Sequence, residues 1–300
     1  MSIQVENLVK TFGDYTAVDN LSFSIDKPGV FALLGTNGAG KTTAIRMLLG
    51  MLTKNSGTAL WDGKPMESLT RQIGYLAEER GLYPKIDVID QLLYFAQLKG
   101  LSTAQAKERI DFWFGRLNIE EHKNKKASQL SKGNQQKVQL VVALLADPKL
   151  LILDEPLSGL DPVNADQFRA VIKEEIAKDK YIIMSSHQMA TIEEFCDDLV
   201  ILDKGKSILK GNLNEIKKGY GRINLSIKCD EDITGLIMQS GLTILNKTPA
   251  QTMVRVKDES QAKSLLKKIV DNDLSLVKYE LREPSLHEIF VEKVGESIES

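Results

Sequence analysis

Cysteine is scarce: Cys196 and Cys229 are the two in 300 residues. They have no metal-type spacing and form no disulfide framework, so two reduced thiols are expected. Long apolar runs are also missing. The longest, Leu140 to Ala146, stops at Asp147, far short of the ~20 residues of a membrane-spanning helix. No bilayer crossing is expected. The opening MSIQVENLVK lacks the basic-then-apolar pattern of a secretory signal. Charge of one sign is lacking too. Lys plus Arg is 39, Asp plus Glu is 41, and the net charge is −2. A balance this even gives no bulk signal for nucleic acid, and no nucleic-acid partner is expected. What remains, 42% apolar and 27% charged residues, is ordinary for a globular chain. The length suits two domains of ~150 residues.

Period-two alternation in Ile3 to Val5 and Leu21 to Ile25 predicts half-buried strands. The short apolar runs Val30 to Leu34, Leu150 to Leu153 and Tyr181 to Ser185 predict buried strands. Helical patterns between them point to a parallel sheet covered on both faces. Thr42 to Leu52 reads as a helix. Leu92, Leu93, Ala96 and Leu98, then Ala104 to Leu117, recur at helical spacing and predict a helical insertion over about 87–145. The basic cluster Lys123 to Lys126 reads as a solvated loop. Asp203 to Lys206 reads as a hairpin turn. Gly219-Tyr220-Gly221 predicts a linker, hence domains at 1–220 and 221–300. In the second, Ile223 to Ile227, Thr252 to Val256 and Leu274 to Leu281 read as strands and Gln261 to Val270 as a helix. That order suggests a small α+β domain of βαββαβ type.

Residues 35–43 read GTNGAGKTT and fit G-x-x-x-x-G-K-[ST], with a strand before and a helix after. Gly35, Thr36, Asn37, Gly38, Ala39 and Gly40 would turn successive N–H groups inward at phosphates. The helix start adds its positive dipole end. Lys41 should reach the β- and γ-phosphates, the Thr42 hydroxyl should bind Mg²⁺, and Thr43 should add a phosphate hydrogen bond.

Residues 150–156 read LLILDEP. Adjacent carboxylates ending an apolar strand are costly unless they meet a cation. Asp154 suits Mg²⁺, and Glu155 suits the attacking water, as base or orienting group. His187 follows the strand of YIIMSSH, at the end of a parallel strand where such sheets bind ligands. It could contact the γ-phosphate. His122 and His287 lie in polar helical stretches and read as ordinary structural residues.

Between the phosphate loop and the carboxylate strand stands LSKGNQQK, 130–137, and after the strand comes SGLD, 158–161. The order GTNGAGKT, LSKGNQQK, LLILDEP, SGLD, SSH resembles the nucleotide-binding subunit of ATP-binding cassette (ABC) transporters, over roughly 2–215. The resemblance implies an α/β P-loop NTPase core with a mostly parallel sheet, an antiparallel β subdomain and a helical insertion. It implies ATP and Mg²⁺, and a second nucleotide-binding subunit, a homodimer being expected. Two such domains sandwich ATP head to tail. Ser131, Gly133 and Asn134 of one would then face the phosphate loop of the other, with Asp161 at the seam. Phe12 falls where the family stacks an aromatic on adenine, with Tyr15 as the alternative.

Three positions depart from the family pattern. Lys132 replaces a usual glycine, Asn134 a usual glutamine, and Glu78 stands at the expected metal-facing glutamine, its register with Glu79 open. Because Glu155 and His187 are present, a competent ATPase is expected. AEERGLY, the small C-terminal domain and the ending EPSLHEIFVEKVG resemble bacterial exporters of the sodium-efflux and drug-resistance type. Their ATPase works at the cytoplasmic face of the membrane with separately encoded transmembrane permease subunits. Leu82, Tyr83 and Ile86 are then candidates for contact with that partner. The alternative is a soluble ABC-type ATPase switch acting on ribosomes or DNA. A single cassette, with no room for a coiled coil between Thr42 and Leu130, argues against it.

Overall fold

The computed structural model describes residues 2–79 and 81–299. The chain divides into two compact units, 1–210 and 211–300.

The first unit opens with β1 (Ile3–Phe12) and β2 (Tyr15–Ile25), an antiparallel hairpin closed by Phe12 opposite Tyr15. Both strands outrun the alternation visible in sequence. Register shifts between Val5 and Leu8, Leu8 and Lys10, and Lys10 and Thr11 disturb the period of two. Then come β3 (Gly29–Gly35), α1 (Lys41–Leu48), β4 (Ser56–Trp61), the short β5 (Lys64–Pro65) and β6 (Ile73–Leu76). The helix α1 stops before Leu52 because Gly50 turns left-handed at φ 69°. The helical insertion supplies α2 (Val88–Leu98) and α3 (Thr103–Leu117), the latter started by a capping box of Ser102 and Gln105. After it come α4 (Lys132–Leu144), β7 (Leu150–Asp154), α5 (Pro162–Ile176), β8 (Tyr181–Ser186), α6 (Met189–Ile192), β9 (Asp198–Asp203) and β10 (Lys206–Asn212).

These strands make two sheets. One is antiparallel, ordered β2-β1-β4-β5. The other is ordered β10-β9-β3-β8-β7-β6, with β9, β3, β8, β7 and β6 parallel. Every residue of β7 and β8 is buried, as a sheet covered on both faces requires. One apolar cluster gathers Ile3, Val5, Phe23 and Trp61 of the antiparallel sheet with Phe31, Leu33, Ile152 and Val200 of the parallel one. Phe23 and Phe31 stack between the sheets at 4.5 Å. Ala44, Ile45 and Leu48 of α1 join the same cluster, which seats α1 and the loop before it at the strand ends.

The second unit holds α7 (Leu213–Tyr220), β11 (Asn224–Cys229), α8 (Thr234–Gln239), β12 (Thr243–Lys247), β13 (Thr252–Arg255), α9 (Glu259–Asp271), β14 (Leu276–Arg282) and α10 (Leu286–Glu299). The span expected as a linker is the end of α7, whose C-cap is Gly221. From β11 to β14 the order is βαββαβ, and the antiparallel sheet runs β12-β13-β11-β14. Leu225, Ile227 and Val254 pack with Ile237 of α8 and Leu265 and Ile269 of α9. Ser285 and Glu288 make the capping box that starts α10.

Candidate nucleotide site

The loop 35–40 joins β3 to α1 and is shaped by glycine. Gly35 has φ 149° and Gly40 φ 104°. A Cβ at Gly35 would stand 2.4 Å from the Leu202 carbonyl oxygen, and one at Gly40 would stand 2.3 Å from that of Ala17. Neither position admits another residue, so the loop is pinned against β9 and β2. Gly38, with φ 82°, has nothing within 4 Å of its Cβ position and leaves its backbone open to a ligand. Gly40 caps α1 without a side-chain hydrogen bond, so the first N–H groups of the helix have no side-chain acceptor there.

Behind the loop lies a largely buried ionic cluster. Lys41 is 6% exposed and donates to the carbonyl oxygens of Gly35 at 2.9 Å and Thr36 at 3.1 Å. Its Nζ also faces Glu155 Oε1 at 3.3 Å. The Thr42 hydroxyl lies 3.3 Å from Asp154 Oδ1, which also accepts from the Ser185 hydroxyl. Ser185 Oγ in turn accepts from the Glu155 N–H at 2.9 Å, tying the ends of β7 and β8 together. Glu155 takes a left-handed φ of 50° as the chain leaves β7. His187 Nδ1 stands 2.9 Å from Glu155 Oε2.

Asp154 is 1% exposed, and its Oδ2 has no hydrogen-bond partner. Burial pushes its carboxyl above the usual range, helped by the charge of Glu155 and opposed by Ser185, Thr42 and Lys41. An orphaned, buried carboxylate oxygen beside a threonine hydroxyl fits a small hard cation that takes most of its ligands from phosphate and water. Among the described residues no group of three or more His, Cys, Asp or Glu could hold a metal on its own.

A cavity of about 330 Å³ opens in front of this cluster, lined by Phe12, Tyr15, Ala17, Asn37, Gly38, Gly40, Lys41, Thr42, Thr43, Glu78 and Glu155. Phe12 and Tyr15 are 50% and 56% exposed at its mouth. Both alternatives for the aromatic platform therefore reach the space. Glu78 lines it, whereas Glu79 turns to Arg46 at 3.3 Å. Thr36 and Ala39 shape the loop through the Ala39 N–H to Thr36 carbonyl bond of 3.2 Å and do not line the cavity. His187 is absent from the lining and touches Glu155 instead.

Ser131, Gly133 and Asn134 are absent from this lining. They form the start of α4, where Ser131 Oγ accepts from the Asn134 N–H at 3.3 Å. Asp161 caps α5 through the Asn164 N–H at 3.0 Å. Of the apolar surface candidates, Leu82 is buried within its own chain, while Tyr83 and Ile86 are exposed. The sequence pattern missed two amides: Gln136 donates to the Pro156 carbonyl at 2.8 Å and Gln139 to that of Glu79 at 3.0 Å. They join α4 to the loops after β7 and β6. Nothing in local sequence marks them, because their partners are backbone atoms far along the chain.

Residues 18–158 match the ABC transporter family, and residues 211–294 match the C-terminal domain of DrrA1-3-like ATP-binding proteins. An uncharacterized ABC transporter ATP-binding protein of Bacillus subtilis, YhaQ, is 44% identical over 98% of both chains. The Nod factor export ATP-binding protein I of Cupriavidus metallidurans is 35% identical over 76% of this chain and 75% of its own. Linearmycin resistance ATP-binding protein LnrL of Bacillus subtilis is 27% identical over 99% of both. A solved ATP-binding subunit of an ABC transporter superposes with a TM-score of 0.68 at 32% identity, over 74% of this chain and 94% of its own. The chain belongs to the ATP-binding subunits of ABC transporters and is an ATPase of that family.

Proposed function

We propose that two copies of the chain bind two ATP molecules head to tail and couple Mg²⁺-dependent hydrolysis to export through separate transmembrane subunits at the cytoplasmic face of the membrane. One observation carries the two-copy reading. The cavity collects the phosphate loop, an aromatic platform and both carboxylate loops, yet Ser131, Gly133 and Asn134 lie outside it. An N–H-rich helix start beside a serine is an anion site in waiting, and a second copy brings one to the phosphates. The relatives named for Nod factor export and linearmycin resistance support export as the direction.

In this reading the phosphate loop holds the polyphosphate and Phe12 or Tyr15 holds the base. Thr42 and Asp154 would hold Mg²⁺, with Glu78 near, and the ion would supply positive charge to the phosphate oxygens. Lys41 in the free chain neutralises Glu155 across 3.3 Å. Moving Lys41 onto phosphate frees that carboxylate to accept a proton from water, while His187 keeps it oriented. Glu155 is thus held in check until nucleotide takes its lysine. Tyr83 and Ile86 are offered to a membrane partner.

The test is a tagged Glu155→Gln chain recovered with ATP from mildly solubilised membranes. A stoichiometric polytopic partner is expected. Recovery only in the soluble fraction, on ribosomes or nucleic acid, would replace the motor with a soluble switch.

A further inference from the structure

His122 ends the short turn Glu120–His122 of the helical insertion, and its residue is 9% exposed. A polar ring taken from water needs partners. Nε2 lies 2.8 Å from the side-chain nitrogen placed on Asn134, and Nδ1 lies 3.2 Å from Lys125 Nζ. The Glu121 carboxylate is 3.5 Å from Nε2. Lys137, on the first turns of α4, is buried and donates to the Leu117 carbonyl at 3.3 Å. Burial lowers the His122 pKa, Lys125 and Lys137 lower it further, and Glu121 opposes them. The ring is therefore neutral at neutral pH, with one N–H and one lone pair.

The neighbours choose the tautomer. An ammonium only donates, so Nδ1 accepts from Lys125 and Nε2 carries the hydrogen. That hydrogen has the Glu121 carboxylate at 3.5 Å and a nearer group, the Asn134 amide, at 2.8 Å. Asn134 accepts it when its amide is turned so that Oδ1 faces the ring, an exchange of two atoms that coordinates rarely distinguish. The same Asn134 gives its backbone N–H to Ser131 Oγ, the cap of α4. One residue thus joins the imidazole to the serine and glycine that begin the helix.

We propose that His122 is a positioning residue for the LSKGN loop, holding the Asn134 side chain so that the first turn of α4 presents Ser131 and the Gly133 N–H to ATP bound by a second copy. The inference rests on the two-copy site proposed above. It also accounts for asparagine at 134, because the ring already occupies hydrogen-bonding distance from the short side chain.

The test uses the full chain carrying Glu155→Gln, with ATP-driven association followed by sedimentation velocity. His122→Phe keeps a ring but loses the bond, and should raise the ATP concentration for half-association about five- to tenfold. Asn134→Ala should do the same, and the double variant should be no worse than either single one. His122→Gln, whose amide can donate to Asn134, should recover most of the loss. ATP binding by the lone chain, measured too dilute for association, should not change. Additive single effects, or His122→Phe associating like its parent, would overturn the proposal.

A second readout needs no association. With three histidines in the chain, the ring nitrogens can be resolved by ¹⁵N NMR. The Nε2–H tautomer is expected for His122 at neutral pH, with an Nε2 signal that Asn134→Ala displaces. An Nδ1–H ring, or a signal indifferent to Asn134, would sink the inference. Failure of the Glu155→Gln parent to associate would instead defeat the two-copy site, leaving the NMR result to judge the His122–Asn134 bond.

Discussion

Asp154 in the first unit and Glu288 in the second are carboxylates that burial pushes the same way, yet they end apart. Asp154 stays raised, because its neighbours are hydroxyls, a like charge and a lysine committed elsewhere. Glu288 also feels burial, but the Arg282 fork, at 2.9 Å to each oxygen, and the Ser285 N–H at 2.7 Å hold it at about 2. A carboxylate with its cation built in serves the fold. A buried one with an oxygen left over is a place for a cation to arrive, and the fold bears its cost until then. Of these two carboxylates, the one with unfinished pairing lies at the candidate nucleotide site.

The largest effect that would sharpen this contrast comes from Glu155→Gln. Steady-state turnover should fall about 10²- to 10⁴-fold, while ATP binding survives. Next is Asp154→Asn. With its folded pKa raised, Asp154 holds its proton more tightly in the folded chain than in the unfolded one. Stability is therefore lost as pH rises from the unfolded value, and the penalty is complete above the folded one. Removing the charge should raise the nucleotide-free melting temperature at neutral pH by a few degrees, about 2–4 °C per kcal/mol relieved. It should also abolish Mg²⁺-dependent stabilisation by ATP. A lower melting temperature would break the contrast.

Glu288→Gln should act oppositely, destabilising the second unit by about 1–3 kcal/mol in denaturant while leaving ATP hydrolysis unchanged. Its folded pKa is depressed, so its contribution is present above the unfolded value near 4.5 and fades as pH falls towards about 2. The variant should lose that acid limb. The smallest effect is at the cavity mouth, where Phe12→Ala should weaken ATP binding about fivefold by isothermal titration. Tyr15→Ala with the larger loss would move the platform to Tyr15.

Much of this was legible in sequence, for identifiable reasons. The parallel strands are short apolar runs because both their faces are buried, and the phosphate loop is spelled in glycines, two of which, Gly35 and Gly40, admit no other residue. Four elements of the second unit carried their own periodicity. Its β12 did not: Thr243 to Lys247 is an edge strand, mostly exposed, without alternation to read. The linker expected at Gly219 hid α7, whose asparagine cap at Asn212 precedes a short, lysine-rich helix. His122 read as an ordinary structural residue, and the Lys123 to Lys126 cluster after it as a solvated loop. Instead Lys123 pairs with Asp111 and Lys125 turns to the imidazole, contacts set by the path of the helical insertion. The different surroundings of Glu78, on the cavity, and Glu79, beside Arg46, were likewise hidden, because Arg46 lies on another element.

The central claim is that one chain's cavity is completed by the start of α4 from another. Mixing Lys41→Ala chains with Ser131→Arg chains tests it most directly, since only the mixed pair retains one intact composite site. Each variant alone should be inactive in ATP hydrolysis, and the mixture should regain activity. Normal hydrolysis by the Ser131→Arg chain on its own would contradict the account.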